Sequence, residues 1–567
     1  MEHGPAARGP FDRIPAQPAP DRATPPDPRP ALEGFAHTGS GPAHSAPVHS
    51  GPAQSPPVGG SLFNWSSGWP LVPILILQAA LSARVIRFDT AFQDEALYLW
   101  AGHLEWASLL HGGALPQFPA FFSGAPVIYP PLAALVDSVG GLDGARLLSL
   151  VFMLGATALL YATSGRLFGK WAAFFSAVLF AIISPTLHLG SFATYDAMAL
   201  FLVALAAWLV VRAGDRADAT LWMTAAGLAL ALANLTLYPS ALFDPVVILL
   251  ALVVAYPRPG GRLAVSRALT LLAIVAVLVT AALLLGGSRY WHGVAVTTVT
   301  RASGDDPALT VLQNSWAWTA VIVVTAVAGA VTGWISHPRS PRAWTLTLLA
   351  AAVLLVPVEQ AGLHSTASLN KHVDLGAWFA AIAAGYVLER FITAAPAGRM
   401  RMITGVACIV SLSFPAALGA QQSRVFATDW PNSTAIVDIL RPLVDNSSGR
   451  LLVEDPSIPE YYLPSGSQWQ RWSSTRNIVR PGGTPTGGPS GKAGIVGPGN
   501  AGTYGVYIRE GYFSYIALNF VDTAALDQTL ARDIRANHRY HLIDVVPYGN
   551  FGGKPGTYVI WRLEPAS

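Results

Sequence analysis

Charge is what this chain lacks. Only 12% of its 567 residues are Asp, Glu, Lys or Arg, while 52% are hydrophobic. A soluble globular protein carries about 25% charged residues. Two or three water-soluble domains, the organisation that length alone suggests, are therefore excluded. Cysteine is nearly absent as well. Cys408 stands alone, which rules out a disulfide framework and any cysteine-based metal centre. It lies in an apolar run and reads as a small buried hydrophobe. A strong charge imbalance is also missing, and the net charge of +3 gives no signal for nucleic acid.

What is present is apolar sequence with regular breaks. Residues 1–67 come first and are an exception: the first 60 hold 14 of the 44 prolines and few aliphatic residues. Such low-complexity sequence cannot bury a core, so a disordered cytoplasmic tail is predicted. It has neither the basic start nor the early apolar core of a signal peptide. From 68 to 420 apolar runs alternate with short polar breaks. A membrane span needs about 20 apolar residues. Eleven runs qualify, near 69–88, 144–163, 171–189, 195–212, 220–238, 241–256, 268–287, 317–336, 343–358, 374–393 and 401–420. The predicted fold is a mainly α polytopic transmembrane bundle.

Basic residues suggest the orientation. With the N-terminus inside, twelve Lys and Arg fall in cytoplasmic loops and six fall outside: Arg84, Arg87, Arg146, Arg289, Arg301 and Lys371. The chain is thus expected to be a multi-pass plasma-membrane protein with a cytoplasmic N-terminus. Residues 421–567, which hold 25 charged residues, would lie outside as an α/β domain. Helices are predicted near 433–445 and 522–537, and strands at 450–453, 540–546 and 558–563. A Gly/Pro-rich loop is predicted at 481–502. Glu454-Asp455 ends the first strand and reads as a turn.

The first outer loop, 89–143, carries the densest chemistry. It is too long for a simple connector, and it contains no Lys or Arg. Its apolar and aromatic composition predicts short helices along the membrane surface. Near its start stands Phe92-Gln93-Asp94-Glu95-Ala96-Leu97-Tyr98. Adjacent helical residues point in different directions, so Asp94 and Glu95 need different partners. One can face a reacting hydroxyl while the other binds a sugar, a metal or an arginine. The alternative reading is that both keep the loop in water or pair with Arg84 and Arg87. Near the loop's end stands Tyr129-Pro130-Pro131-Leu132, where two prolines predict a rigid extended turn.

An Asp-Glu pair after the first span, a Pro-Pro-Leu about 36 residues on, and a span opening at Arg146 form a specific combination. With these motifs the chain resembles the glycosyltransferase-C superfamily, in particular the family 39 and 83-like enzymes. These include protein O-mannosyltransferases and aminoarabinose transferases. The run FQDEALYLWAGH, and later KHVDLGAWFAA, are similar to an actinobacterial subgroup. The resemblance implies a membrane transferase that takes a sugar from a polyprenyl-phosphate donor, with inversion, and passes it to an extracytoplasmic acceptor hydroxyl. It implies Asp94 as general base with Glu95 beside it. Asp196, in Thr194-Tyr195-Asp196, is implied near the site. Relatives carry Lys or His where this chain has Tyr129, and Lys where it has Leu237, so the donor phosphate contacts are expected to differ.

A leaving phosphate needs fixed cations. Arg84, Arg87, Arg146, Arg289, Arg301, Lys371 and His372 are the candidates, with pairing to Asp89, Asp94 or Asp196 as the alternative. The segment His364-Ser365-Thr366-Ala367-Ser368-Leu369-Asn370-Lys371-His372 is the second polar cluster. It suggests a headgroup or phosphate site, with a plain solvated loop as the alternative, and His364, Tyr129 and Asp196 are the expected substrate contacts. No metal ligand set is evident from its spacing. No cofactor is required by these residues, and a divalent cation stays open. The expected partners are membrane lipid, the lipid-linked donor, and a glycan, protein or lipid acceptor, without nucleic acid. Two rivals stay open. One is a transporter or flippase, for which inverted repeats with broken mid-membrane helices would be needed. The other is a non-catalytic envelope assembly protein.

Overall fold

The computed structural model describes residues 70–564, apart from 215, 217, 256–260, 302, 446–447, 464–465, 476–500, 522 and 552–553. The proline-rich tail and most of the 481–502 segment lie outside the described residues.

Helices α1 (Leu71–Ile86) and α2 (Gln93–His111) open the described chain, and α3 (Tyr129–Phe168) follows the outer loop. Then come α4 (Lys170–Ile182), α5 (Ser184–Leu189), α6 (Tyr195–Ala213), α7 (Ala219–Thr236) and α8 (Asp244–Ala255). The long α9 (Gly261–Thr297) and α10 (Ala308–Ser336) lead to α11 (Pro341–Ala351), α12 (Leu355–Gly362) and α13 (Leu369–Ala394). Two further helices, α14 (Arg399–Ser411) and α15 (Ser413–Phe426), complete the apolar part. Among the described residues, nine helical segments are long and apolar enough to cross a membrane, and the shorter Leu71–Ile86 and Lys170–Ile182 are apolar too. All coincide with the runs seen in the sequence.

Length alone shows where helices must change role. Helix α3 has 40 residues. At 1.5 Å per residue it would be about 60 Å long, roughly twice the hydrocarbon thickness. It breaks at Gly141, whose φ of 62° is open to glycine without Cβ strain. The part before the break belongs to the outer loop, and the part after it is the span. Helix α9 breaks in the same way at Gly287 (φ 70°).

Two expectations about the outer loop are corrected. Instead of several short helices, most of its first half is the 19-residue α2, followed by a single 3₁₀ turn at Phe118–Ala120. Tyr129-Pro130-Pro131 is not an extended turn but the first turn of α3. The first helical N–H groups have no intrahelical acceptor, so prolines lose nothing there and their fixed φ suits the helix. The Pro131 carbonyl is used instead by Trp106 Nε1 at 2.8 Å. Helices α2 and α3 touch backbone to backbone: a Cβ on Gly102 would stand 2.0 Å from the Pro130 oxygen.

The C-terminal sheet domain contains α16 (Thr434–Asp445), β1 (Leu451–Val453), α17 (Ser457–Tyr462), β2 (Trp472–Ser474), α18 (Ala501–Glu510), β3 (Tyr515–Leu518), α19 (Ala524–Ala536), β4 (Tyr540–Phe551) and β5 (Lys554–Leu563). The sheet order is β2-β1-β3-β5-β4, parallel across β2, β1 and β3 and antiparallel beyond. Period-two alternation sends Leu451 and Val453 to the face under α16, and Leu452 to the face under α18 and α19. Strands β2 and β3 and helices α17 and α18 were not foreseen. With three or four residues, and fully buried in the case of β3, these strands show no alternation to read.

This domain grips the start of the outer loop. Trp430 Nε1 donates to the Thr90 oxygen (2.9 Å), and Asn432 Nδ2 donates to Asp89 Oδ1 (2.7 Å). Ser433 N donates to Thr90 Oγ1 (3.1 Å), and Ala91 N donates to the Tyr462 hydroxyl (2.7 Å). Farther along the loop, the Tyr461 hydroxyl donates to Asp137, which also meets His103 Nε2 at 2.6 Å.

Candidate active site

Three helix N-termini meet at one end of the bundle. Asp94 and Glu95 occupy the first turn of α2, Asp196 the first turn of α6, and Lys371 and His372 the first turn of α13. A helix N-terminus favours negative charge, so both aspartates are well placed. A lysine in a first turn is not, and it stays because carboxylates hold it. Lys371 Nζ lies 2.6 Å from Asp94 Oδ2 and 3.6 Å from Asp196 Oδ2. His372 Nε2 stands 3.4 Å from Asp196 Oδ1, and its Nδ1 meets Gln360 Nε2 at 3.0 Å. Lys371, His372 and Asp196 are buried, whereas the Asp94 side chain keeps 31% of its exposure. One carboxylate can therefore be reached from outside, over a buried Lys–Asp–His base.

Aromatic rings wall the centre. Tyr98 and Tyr195 have centroids 4.5 Å apart, and Tyr129 stands edge-on to both at 6.3 and 6.5 Å. The Tyr129 hydroxyl meets Ser149 at 3.3 Å. Burial, together with the neighbouring Asp94 charge, pushes the Tyr98 phenol well above its usual range. Tyr98 follows Asp94 by one helical turn, a spacing that could have pointed to it in the sequence.

Glu95 is different in kind from Asp94. It is fully buried, and its oxygens take Arg146 Nε at 2.8 Å, Arg146 Nη2 at 2.7 Å and the Ala193 N–H at 2.7 Å. Glu95 also closes the start of α2 by accepting the Phe92 N–H at 3.3 Å. Arg146 gives its remaining donors to the backbone oxygens of Ile86, Asp89 and Thr90. All five guanidinium N–H groups are thereby used. Arg146, expected at the phosphate, and Glu95, expected in catalysis, instead form a clamp that fixes residues 86–95 and so aims Asp94.

The other candidates are scattered. Arg84 donates to the oxygens of Leu81 and Ala420 (3.2 and 2.6 Å). Arg87 is 84% exposed and pairs with Asp143 at 2.7 Å. Arg301 is half-buried, with Glu359 as a charged neighbour. His364 is exposed and left-handed (φ 51°), and its Nδ1 meets the Asp306 oxygen at 3.1 Å. Asp306 takes both the amide and the hydroxyl of Thr366 (2.7 Å each), which hold its carboxyl below the usual range. Residues 364–368 are thus an anchored loop, and of that segment only Lys371 and His372 reach the centre. The Arg289 side chain lies outside the described residues.

A divalent cation does not fit between the two aspartates, because an ammonium already bridges them. Among the described residues no group of three or more His, Cys, Asp or Glu is arranged to hold a metal.

Residues 126–285 match the family model described as dolichyl-phosphate-mannose-protein mannosyltransferase. Tyr129, Arg146 and Asp196 lie within that segment, and Asp94 and Lys371 lie outside it. No curated protein sequence matches the chain. Several solved structures share its fold. The archaeal oligosaccharyltransferase AglB from Archaeoglobus fulgidus, solved with an inhibitory peptide and a dolichol-phosphate, superposes with a TM-score of 0.54 at 13% identity, covering 87% of this chain and 74% of that one. ArnT from Cupriavidus metallidurans, bound to undecaprenyl phosphate, gives 0.53 at 13% identity over 88% of this chain and 100% of that one. The mycobacterial arabinofuranosyltransferase AftD gives 0.54 at 14% identity over 89% of this chain and 40% of that one. The nine long apolar helices make the chain a multi-pass membrane protein, its fold is that of these three structures, and residues 126–285 resemble the mannosyltransferase family model.

Proposed function

We propose that the protein transfers a sugar from a polyprenyl-phosphate donor to an acceptor hydroxyl at the outer membrane face, with inversion at the anomeric carbon. The observation that carries this reading is the meeting of Asp94, Lys371 and Asp196 from three distant helix starts. The acceptor oxygen attacks the anomeric carbon as the bond from that carbon to the phosphate oxygen breaks. The bonding pair leaves with the phosphate, and the hydroxyl proton passes to Asp94, within hydrogen-bond reach. The charge that develops on the phosphate meets the Lys371 ammonium and the positive ends of three helices. Asp196 and His372 hold Lys371 in place. Dolichol-phosphate and undecaprenyl phosphate in the AglB and ArnT complexes support a lipid-phosphate donor. The excess of basic residues in one set of loops supports a cytoplasmic N-terminus and an extracytoplasmic outer domain.

The test is transfer from a radiolabelled polyprenyl-phosphate sugar in purified membranes. Wild type is expected to pass label to an acceptor fraction, and Asp94→Asn to lose this by roughly 10²–10⁴-fold, the usual size of a general-base contribution. Undiminished transfer by Asp94→Asn would refute the assignment.

A further inference from the structure

Helix α2 carries a second carboxylate that the reaction above does not use. Glu105 follows Asp94 by eleven residues, just over three helical turns, so both lie on one face about 16 Å apart. Tyr98 lies on the same face between them. Glu105 is half-buried, and its Oε2 has no hydrogen-bond partner among the described residues. Burial pushes its carboxyl up to about 7. A buried carboxylate oxygen without a protein partner calls for a donor from water or a ligand.

Opposite this face stand more tyrosines. The Tyr290 hydroxyl feels the charge of Glu105, and Tyr238 feels both Tyr290 and Tyr195. Tyr238 and Tyr290 are half-buried, while Tyr98 and Tyr195 are buried. Backbone contacts fix this wall. Tyr238 N donates to the Ser123 oxygen at 2.7 Å, and Ala125 N donates to the Leu235 oxygen at 2.6 Å. Beyond Gly287, α9 presses on the 3₁₀ turn: a Cβ on Gly293 would stand 2.2 Å from the Pro119 oxygen. The result is a row that combines two buried rings, Tyr98 and Tyr195, with the half-buried Asp94, Tyr238, Tyr290 and Glu105.

We propose that this row is the acceptor subsite and that it takes a neutral, hydroxyl-rich glycan chain. Phenol rings cover the apolar faces of sugar rings while their hydroxyls reach polar groups. A carboxylate can only accept, and sugar hydroxyls supply the donors it lacks. The loop that frames the row has no Lys or Arg across residues 89–143, which disfavours an anionic acceptor. With the glycan seated along α2, its terminal hydroxyl reaches Asp94. The inference rests on the transferase reading given above.

The test uses the full chain in lipid nanodiscs. Equilibrium binding of radiolabelled trisaccharides of mannose, arabinofuranose and galactose is measured without donor, and transfer kinetics are measured with it. At least one trisaccharide is expected to bind. Glu105→Gln and Tyr290→Phe should each weaken that binding and raise the acceptor KM by about tenfold to a hundredfold, the scale of a hydrogen bond to a charged group, with kcat changed far less. If no trisaccharide binds, or if both variants bind as wild type does, the subsite is refuted. If a Ser/Thr peptide accepts sugar and no trisaccharide does, the subsite is also refuted while the transferase reading stands. If a trisaccharide binds through Glu105 and Tyr290 but no label is transferred, the subsite stands and the transferase reading falls.

Discussion

Lys371 and Asp94 meet at 2.6 Å although 277 residues separate them in the chain. Each is conditioned by the other: the ammonium is buried and needs a counter-charge, and the carboxylate gains a fixed position. The pair ties the tenth apolar segment to the outer loop and makes the centre sensitive to either residue.

Removing the ammonium leaves the buried Asp196 beside His372 alone. Breaking a buried ion pair from one side costs about 3–5 kcal/mol. Lys371→Met is therefore expected to lower thermal stability and abolish transfer. Adding Asp196→Asn should recover most of the stability and none of the transfer. Thermal unfolding in detergent, read beside label transfer for the single and double variants, checks both parts.

Arg146→Met breaks the clamp on Glu95 and should cost a similar amount, about 3–5 kcal/mol. The double variant Arg146→Met with Glu95→Gln should regain part of it. Because all five donors of Arg146 are used within the protein, the fraction that remains folded should keep the wild-type donor KM. A donor KM raised tenfold or more in folded protein would return Arg146 to the phosphate.

Arg87 pairs with Asp143 in the open, with 84% of its side chain exposed. Exposed pairs contribute about 0–1 kcal/mol. Arg87→Ala should shift stability by less than about 1 kcal/mol and leave transfer near wild type, as a melting curve and a rate measurement will show.

Glu105 gives a signed dependence on pH. Its carboxyl, ordinarily near 4.5, is pushed up to about 7 by burial. The folded state thus favours the acid form, and that advantage, full below about pH 4.5, is lost as pH rises through 7. Glu105→Gln should match wild type at pH 4.5 and exceed its stability by about 1–3 kcal/mol at pH 8. Melting curves at the two pH values decide it.

Much of this architecture is legible in the sequence because a bilayer leaves few choices. Each apolar run had to be a helix, and each of them is. The two prolines at Pro130 and Pro131 were misread because a helix start and an extended turn accept proline equally well, and only the neighbouring register decides. In the site, Lys371 and His372 were visible as part of a polar cluster before an apolar run, and Asp94 and Asp196 through the motifs that resemble the superfamily. Their mutual pairing was not, since it depends on how α2, α6 and α13 pack. Arg146 shows the limit most clearly. An outer arginine beside a motif suggests a ligand contact, and nothing local shows that Glu95 and three carbonyls occupy it. Strands β2 and β3 escaped notice for the opposite reason, being too short to carry a pattern.

The hold of the C-terminal sheet domain on residues 89–91 has a consequence for exchanging that domain. Trp430, Asn432, Ser433 and Tyr462 secure the three residues that lead directly into the helix carrying Asp94. The domain is thus part of the mounting of Asp94, and exchanging it for another sheet domain would shift the aspartate unless those four contacts travel with it.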